Sequence, residues 1–227
     1  MILASAHDRD SHNIRTAWAP QALLLTPRDL STPGWRLVIA EAGEGRWACK
    51  GVSRPDGAIT AVLTRLVQVD PLELHWIQPA RRHFVAAEMT AFLLAWLEGL
   101  RCPVIDRPSP GCLCGRNWGW LHWANLATGL GIPVQDQGPV QGGTCLVSMV
   151  GGMAIGTEGI GVEPLAGAAA SWARQLCAAA GQELASFHFQ RNGTELRLVQ
   201  ARVGLERVGT AELKALHRVL EVRVASG

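Results

Sequence analysis

The hydrophobic period changes several times along this chain, and that alternation constrains the fold more than any other feature of the sequence. Short apolar runs bounded by turn residues predict five strands, at 1–6, 22–25, 36–40, 47–52 and 59–66. Apolar residues then recur at spacings of three and four, which predicts a long helix over 78–100. A short strand at 104–105 and helices at 117–130, 166–180 and 210–224 follow. The pattern therefore predicts an α/β fold.

The strongest local signal is a hairpin near the end of the chain. Alternating runs at 184–190 and 195–203 flank the dipeptide Asn192-Gly193, which favours a tight two-residue turn. An earlier apolar strand, 144–155, is interrupted by Gly151-Gly152 and predicts a second hairpin or a bulge. The loop at 135–143 is the clearest candidate for a boundary between two parts of the chain.

Composition excludes several classes of protein. Hydrophobic residues make up 48% of the 227 residues and charged residues 18%, which is typical of a folded globular chain. A formal net charge of +2 is too small for a nucleic-acid binder that works by bulk electrostatics. The apolar stretches fall short of the roughly 20 residues that cross a bilayer, and the N-terminus lacks the pattern of a signal peptide. We expect a cytoplasmic protein with reduced thiols, bound neither to membranes nor to nucleic acid.

Two cysteines one residue apart, Cys112 and Cys114, could contribute to a soft metal site or a redox pair. No recognised zinc spacing accompanies them, so we interpret them as packed apolar thiols and keep a thiol or metal protein as an alternative class. The glycines around 151–161 lack the lysine and the strand–turn–helix context of a phosphate loop.

A tryptophan-rich segment, residues 117–123, is the main candidate for a binding surface. With Asn117 as N-cap, Trp120 and Trp123 share one helical face, while Trp118 and His122 lie on another. One helix seldom buries two aromatic faces within its own domain, so we expect partner contact, with core packing as the alternative. Trp118 is predicted to lie at the exposed helix start, away from Trp120 and Trp123.

Residues 83–134 resemble the end of the pre-ATP-grasp domain of RimK-like ATP-grasp ligases, especially the maturases of ribosomally made peptides. The matching positions are Phe84, Ala86 and Glu88, then Asp106-Arg107-Pro108, then Asn117, then Gly131-Ile132-Pro133-Val134. The resemblance implies a pre-ATP-grasp-like lobe at 1–110 and a reduced ATP-grasp-like remnant at 111–227.

The sequence differs from this family at the positions that bind nucleotide and metal. The 19 arginines are accompanied by only two lysines, with none between residues 51 and 213, where the nucleotide-binding lysines would lie. Trp118 stands where a lysine follows Asn117. His188 stands at the position of a metal-binding aspartate, and residues 199–201 (Val-Gln-Ala) replace an E-x-N motif. About ten residues separate Pro133 from Thr144, too few for the subdomain that clamps the nucleotide.

The resemblance and its departures together predict a non-catalytic ATP-grasp homologue that binds a peptide or protein partner in a peptide-modification or protein-maturation pathway. No catalytic residue, metal ligand or cofactor is expected. The sequence leaves open whether the protein forms a homodimer. Strand edges could take an extended peptide by β-augmentation. The expected partner-binding residues are Trp118, Trp120, His122, Trp123 and Arg107.

The alternative is a compact, divergent ATP-dependent carboxylate–amine ligase. It would bind phosphates through arginine and metal through residues such as Glu158, Glu163 or Glu195.

Overall fold

The structure is a computed structural model that describes residues 1–38, 45–135, 144–156 and 165–226. The chain divides into two compact units, one of residues 1–115 with 220–227 and one of residues 116–219. The predicted boundary at 135–143 is wrong, because the chain on both sides of this loop belongs to the second unit. Residues 136–143 themselves lie outside the described residues.

The first unit is built on a parallel sheet with the strand order β2-β1-β5-β6. These four strands are short, and all their residues except the half-buried Leu24 are buried: β1 (Ile2–Leu3), β2 (Leu24–Leu25), β5 (Val62–Thr64) and β6 (Val104–Ile105). Three helices belong to this part of the chain: α1 (Arg9–Ala17), α2 (Pro27–Leu30) and α3 (Arg82–Gly99). Helix α3 confirms the prediction for 78–100, preceded by a 3-10 turn at Pro79–Arg81.

A separate two-stranded hairpin, β3 (Arg46–Cys49) and β4 (Val52–Pro55), also belongs to the first unit. The prediction of one strand at 47–52 was wrong, because the chain turns at Lys50 and Gly51 with φ angles of +50° and +77°. Two consecutive residues of positive φ form the turn that matches strand twist in a tight hairpin. Of the predicted strand at 36–40, Arg36 forms an isolated bridge with Arg46, and residues 39–40 lie outside the described residues.

The core of the first unit lies against α3. Leu93, Trp96 and Leu97 are almost completely buried on this helix. The Trp96 indole N–H donates to Asp56 Oδ1 at 3.1 Å, and Trp35 packs edge-on against the Trp96 ring with centroids 5.2 Å apart. Burial raises the pKa of Asp56, although the Trp96 hydrogen bond opposes that shift.

The second unit carries an antiparallel sheet with the strand order β10-β9-β7-β8. Its strands are β7 (Thr144–Val150), β8 (Met153–Ile155), β9 (Leu184–Asn192) and β10 (Glu195–Val203). Both predicted hairpins are confirmed, with Gly151 and Gly152 at φ of +54° and +86° and Gly193 at +62°. The remaining helices are α4 (Trp120–Gly129), α5 (Leu165–Ala180) and α6 (Thr210–Ser226), the last divided between the two units.

The outer edge of β10 is partly occupied. Val134 forms a parallel bridge with Leu198. The Leu198 N–H donates to Pro133 O at 2.8 Å, and the Gln135 N–H donates to Leu198 O at 3.0 Å. An added strand therefore cannot pair along the full length of this edge.

Within the described ranges, the structure contains no helix that combines the length and the apolar character needed to cross a membrane.

Candidate functional site

The tryptophan-rich segment begins with irregular chain rather than with a helical turn. Helix α4 starts at Trp120 with Gly119 as its N-cap, so the prediction of Asn117 as N-cap was wrong. The Arg116 N–H donates to Gln182 Oε1 at 2.7 Å, and the Trp118 N–H donates to Arg116 O at 2.8 Å. These bonds hold residues 116–118 in a non-helical path against the connection between α5 and β9.

Trp118 lies in a stack of three side chains. Its ring is parallel to that of His122, with centroids 6.0 Å apart and an interplanar angle of 21°. The Arg116 guanidinium carbon lies 5.7 Å from the Trp118 ring centroid, which is cation–π distance. Trp118 also packs edge-on against Trp123 at 5.1 Å. The prediction that Trp118 lies away from Trp123 was wrong, because helical spacing does not apply to a residue that precedes the helix.

Trp123 is a core residue. It is fully buried and packs edge-on against Phe187 of β9, with centroids 5.3 Å apart. Its indole nitrogen has no hydrogen-bond partner within the described part of the chain. Trp120 is half-buried and packs against the same core. In this chain, a partner can therefore reach Trp118, Trp120 and His122 but not Trp123.

We call Arg116, Trp118, Trp120, Leu121 and His122 the aromatic surface. Leu121 is 64% exposed, and His122 and Arg116 are also exposed. The sequence contains no acidic residue between positions 107 and 135. The surface therefore combines aromatic area, an exposed aliphatic side chain and an arginine.

Arg107 belongs to the first unit, whereas the aromatic surface belongs to the second. Its guanidinium donates to Leu97 O and Leu100 O, each at 3.4 Å. Arg107 thus adds hydrogen bonds to carbonyls at the end of α3, where Leu97 O also accepts from the Leu100 N–H at 3.4 Å.

His188, which the resemblance aligns with a metal-binding aspartate, contacts a carboxylate. His188 lies in the middle of β9, and its Nε2 is 2.8 Å from Glu206 Oε2. On β10 the register shifts between Leu198 and Gln200, so Val199 lies at a β-bulge. Gln200 lies opposite His188, and its amide oxygen, in the orientation that satisfies both amide atoms, accepts from Arg202 Nε and Nη2 at 2.7 Å.

Sequence reasoning missed Glu206, which lies 18 positions from His188. The loop after β10 returns to β9 because the Ser186 hydroxyl donates to Gly204 O at 3.1 Å and accepts from Glu206 N–H at 2.8 Å. No local motif marks such a return, so the pairing was not visible in the sequence.

Of the three metal candidates of the alternative ligase hypothesis, the structure describes only Glu195. Glu195 forms an exposed ion pair with Arg197 at 3.0 Å, and Glu158 and Glu163 lie outside the described residues. No group of three or more His, Cys, Asp or Glu side chains in the described ranges is arranged to hold a metal ion.

No protein-family model matches the sequence, and no curated protein sequence matches it. Solved structures do match. The macrocyclase MdnC from Microcystis aeruginosa MRC, bound with precursor peptide MdnA, has a TM-score of 0.70 and 11% identity, covering 99% of this chain and 98% of that chain.

Two further structures are similar along almost their whole length. The ATP-grasp ligase PsnB, complexed with precursor peptide PsnA2 and AMPPNP, has a TM-score of 0.66 and 11% identity over 99% of this chain and 97% of that chain. A RiPP-associated ATP-grasp ligase from Chryseobacterium gregarium, in complex with ADP and a leader and core peptide, has a TM-score of 0.62 and 8% identity over 100% and 96%. At these identities the similarity concerns the fold, and the chain has the mixed α/β fold of the RiPP-associated ATP-grasp ligases.

Proposed function

We propose that this chain is a truncated, non-catalytic homologue of RimK-like ATP-grasp peptide ligases. It binds a peptide or protein partner in a peptide-modification pathway, with a pre-ATP-grasp-like lobe at 1–110 and a reduced lobe at 111–227. The fold supports the family, and three structural neighbours were crystallised with precursor or leader and core peptides. The observation that carries the non-catalytic part is the His188–Glu206 pair.

The His188–Glu206 pair places an imidazole where the family resemblance expects a carboxylate for Mg²⁺. The imidazole nitrogen and the Glu206 carboxylate contact each other at 2.8 Å, so this carboxylate is already engaged. At the two other metal positions, Val199 and Ala201 have no ligating side-chain atom. Hard cations such as Mg²⁺ prefer oxygen ligands, which these three positions do not supply.

The distribution of basic residues supports the same conclusion. Phosphoryl transfer requires that lysine, arginine and metal neutralise the charge of the transferring group. The only lysines are Lys50 and Lys214, outside the stretch in which the family's nucleotide-binding lysines occur. Arginine would have to replace them all for the alternative, a divergent carboxylate–amine ligase, to operate.

The aromatic surface supports partner binding. Its members expose a tryptophan–histidine stack and an aliphatic side chain together with an arginine. Aromatic and arginine side chains dominate the energetics of peptide and protein interfaces.

The experiment that tests this function has a nucleotide arm and a peptide arm. In the nucleotide arm, the protein is titrated with Mg–ATP by calorimetry and assayed for ATP hydrolysis. We expect neither heat of binding nor hydrolysis. A rise in melting temperature of several degrees in millimolar Mg–ATP would contradict the non-catalytic assignment, because a ligand that binds only the native state must stabilise it.

In the peptide arm, MdnA, PsnA2 and overlapping fragments of both are arrayed and probed with the wild-type protein and with Trp118→Ala. We expect selective binding by the wild type, weakened about 30-fold or more in the variant, the loss typical of an interface anchor. Ala124→Ser, which keeps the aromatic surface, serves as control. Failure of every peptide to bind, or equal binding by Trp118→Ala, would argue against this surface as the peptide site.

A further inference from the structure

The loop that ends the first unit, residues 109–115, is held at several points. Ser109 and Cys112 exchange two backbone hydrogen bonds of 2.9 Å around Pro110 and Gly111. The Ser109 hydroxyl donates to Gly115 O at 2.7 Å. The Leu113 N–H donates to Val67 O at 2.8 Å. These bonds hold the backbone of Cys112 and Cys114 and therefore fix the positions of their Cβ atoms.

The two thiols of this loop face each other. Cys112 is fully buried and Cys114 is 4% exposed, and their sulfur atoms are 3.8 Å apart. A disulfide bond is about 2.05 Å long, so closing it requires the sulfurs to approach by roughly 1.8 Å. With the backbone held, rotation of the two side chains has to supply this approach.

The contact between the thiols makes them chemically unequal. The hydrogen bond from Cys114 lowers the pKa of Cys112 to about 7, against the effect of burial and of Asp106. The same hydrogen bond, burial and the charge of Asp106 raise the pKa of Cys114, and Arg65 opposes this. Burial instead raises the pKa of Cys49 and of Cys102. Near neutral pH, Cys112 therefore supplies a thiolate beside a thiol that keeps its proton.

We infer that Cys112 and Cys114 form an oxidisable dithiol, a modification site for hydroperoxides at the end of the first unit. The Cys112 sulfur attacks one oxygen of hydrogen peroxide, the O–O bond breaks, and hydroxide leaves to be protonated to water. The Cys112 sulfenic acid is then attacked by the Cys114 sulfur. The S–O bond breaks as the S–S bond forms, and water leaves with the Cys114 proton. One peroxide thus takes two electrons from two thiols and yields a disulfide and two waters.

The order in which the cysteines react distinguishes this site from oxidation governed by exposure. Cys102 and Cys145 are more exposed than Cys112 and Cys114. Exposure alone would make those two thiols react first. On the inferred mechanism, the thiolate character of Cys112 and the neighbouring Cys114 thiol outweigh exposure, and the buried pair is the first to lose two hydrogen atoms.

The test is a peroxide titration of the whole protein near neutral pH. Aliquots are denatured in an alkylating agent and mapped by mass spectrometry, then mapped again after reduction. At one equivalent of hydrogen peroxide we expect the peptide with Cys112 and Cys114 to lose the mass of two hydrogens and to regain it on reduction. The other four cysteines should be alkylated. Prior oxidation of Cys102 or Cys145, or a sulfinic acid at Cys112 without the cross-link, would overturn the inference.

Two alanine variants complete the test. Cys114→Ala removes the resolving thiol, and we expect the reversible two-hydrogen loss to disappear. Cys102→Ala removes a thiol of the same unit, and the loss should be unchanged. Persistence of the loss in Cys114→Ala would overturn the inference. The mass-spectrometric result on the wild-type protein does not depend on either variant, so it still tests the inference if a variant fails to fold.

Discussion

Trp118 and Trp123 are in ring contact, yet they differ in what each can do. Trp123 is fully buried between α4 and β9, whereas Trp118 keeps part of its surface accessible beside His122 and Arg116. The sequence analysis named both as partner-binding candidates and wrongly placed Trp118 away from Trp123. Residue spacing predicts which side of a helix a side chain lies on only for residues inside the helix, so the first helical residue must be known. Here the chain before Trp120 is not helical, because the Arg116 N–H donates to Gln182, which is distant in the sequence.

Alanine substitutions at these two positions should have unequal effects on stability. For Trp123→Ala we expect a loss of about 3–5 kcal/mol in the free energy of unfolding, the cost of a large core cavity. For Trp118→Ala we expect about 1–2 kcal/mol, because only part of its area and its ring contacts are lost. Urea denaturation of the two variants measures both values. Equal losses would place Trp118 in the core and remove it from the aromatic surface.

Helix α1 shows what the sequence pattern could and could not predict at the level of elements. Helix α3 and the β9–β10 hairpin were predictable because apolar periodicity and Asn192-Gly193 are encoded locally. The polar α1 was missed, since only Ser11 and Ile14 are buried on it and its apolar signal is weak. The side chain of Asp8 starts this helix instead, accepting from the backbone N–H groups of Asp10 and Ser11.

Stability should depend on pH through Asp8. Burial alone would raise its pKa, but hydrogen bonds from Arg65 and Ser11 outweigh burial and hold the pKa below its usual range. A lowered folded-state pKa contributes stability that is present above the unfolded pKa of about 3.9 and is lost as pH falls through the folded value. Asp8→Asn keeps a capping oxygen but loses the charge that meets Arg65 at 2.7 Å.

For Asp8→Asn we expect a loss of about 1–3 kcal/mol at pH 7 that shrinks as pH falls below about 4, the unfolded pKa, and vanishes only below the lowered folded-state pKa of Asp8. Denaturation at the two pH values measures the difference. Asp70→Asn is the matched control, since Asp70 caps a turn by accepting from Leu72 N–H and forms no ion pair among the described residues. A loss at pH 3 as large as that at pH 7 would show that the Asp8–Arg65 charge pair is not its cause.

At the scale of the whole molecule, the positive charges are carried almost entirely by arginine, and no single substitution changes this. Lysine occurs at only two of the 227 positions, while arginine is spread through the chain. The fold itself was predictable as α/β because element types alternate, and the structural neighbours match it from end to end. The contact between His188 and Glu206 was not predictable, because a loop without a recognisable sequence motif brings Glu206 to β9.

On the proposed function, introducing the acidic residues that the resemblance expects should not produce ATP hydrolysis. We expect no ATP hydrolysis from His188→Asp combined with Val199→Glu and Ala201→Asn, because the chain still has no lysine between residues 51 and 213, where the resemblance expects the phosphate-binding lysines. Ala201 is 5% exposed, so an amide there costs about 1–3 kcal/mol unless it finds a partner. If the triple variant does not fold, His188→Asp with Glu206→Gln tests the same point. Mg²⁺-dependent hydrolysis by either variant would show that arginine suffices and would favour the ligase hypothesis.

The bridge on the outer edge of β10 bears on how copies of this chain behave at high concentration. An open strand edge is a template on which like strands can stack, and long continuous edges are where fibrils begin. Leu198 uses both of its outward backbone groups on Pro133 and Gln135, and a proline has no N–H to extend the ladder. The bulge at Val199 further twists this nine-residue strand. The edge is thereby divided into two short stretches, each a poor seed for strand-by-strand polymerisation.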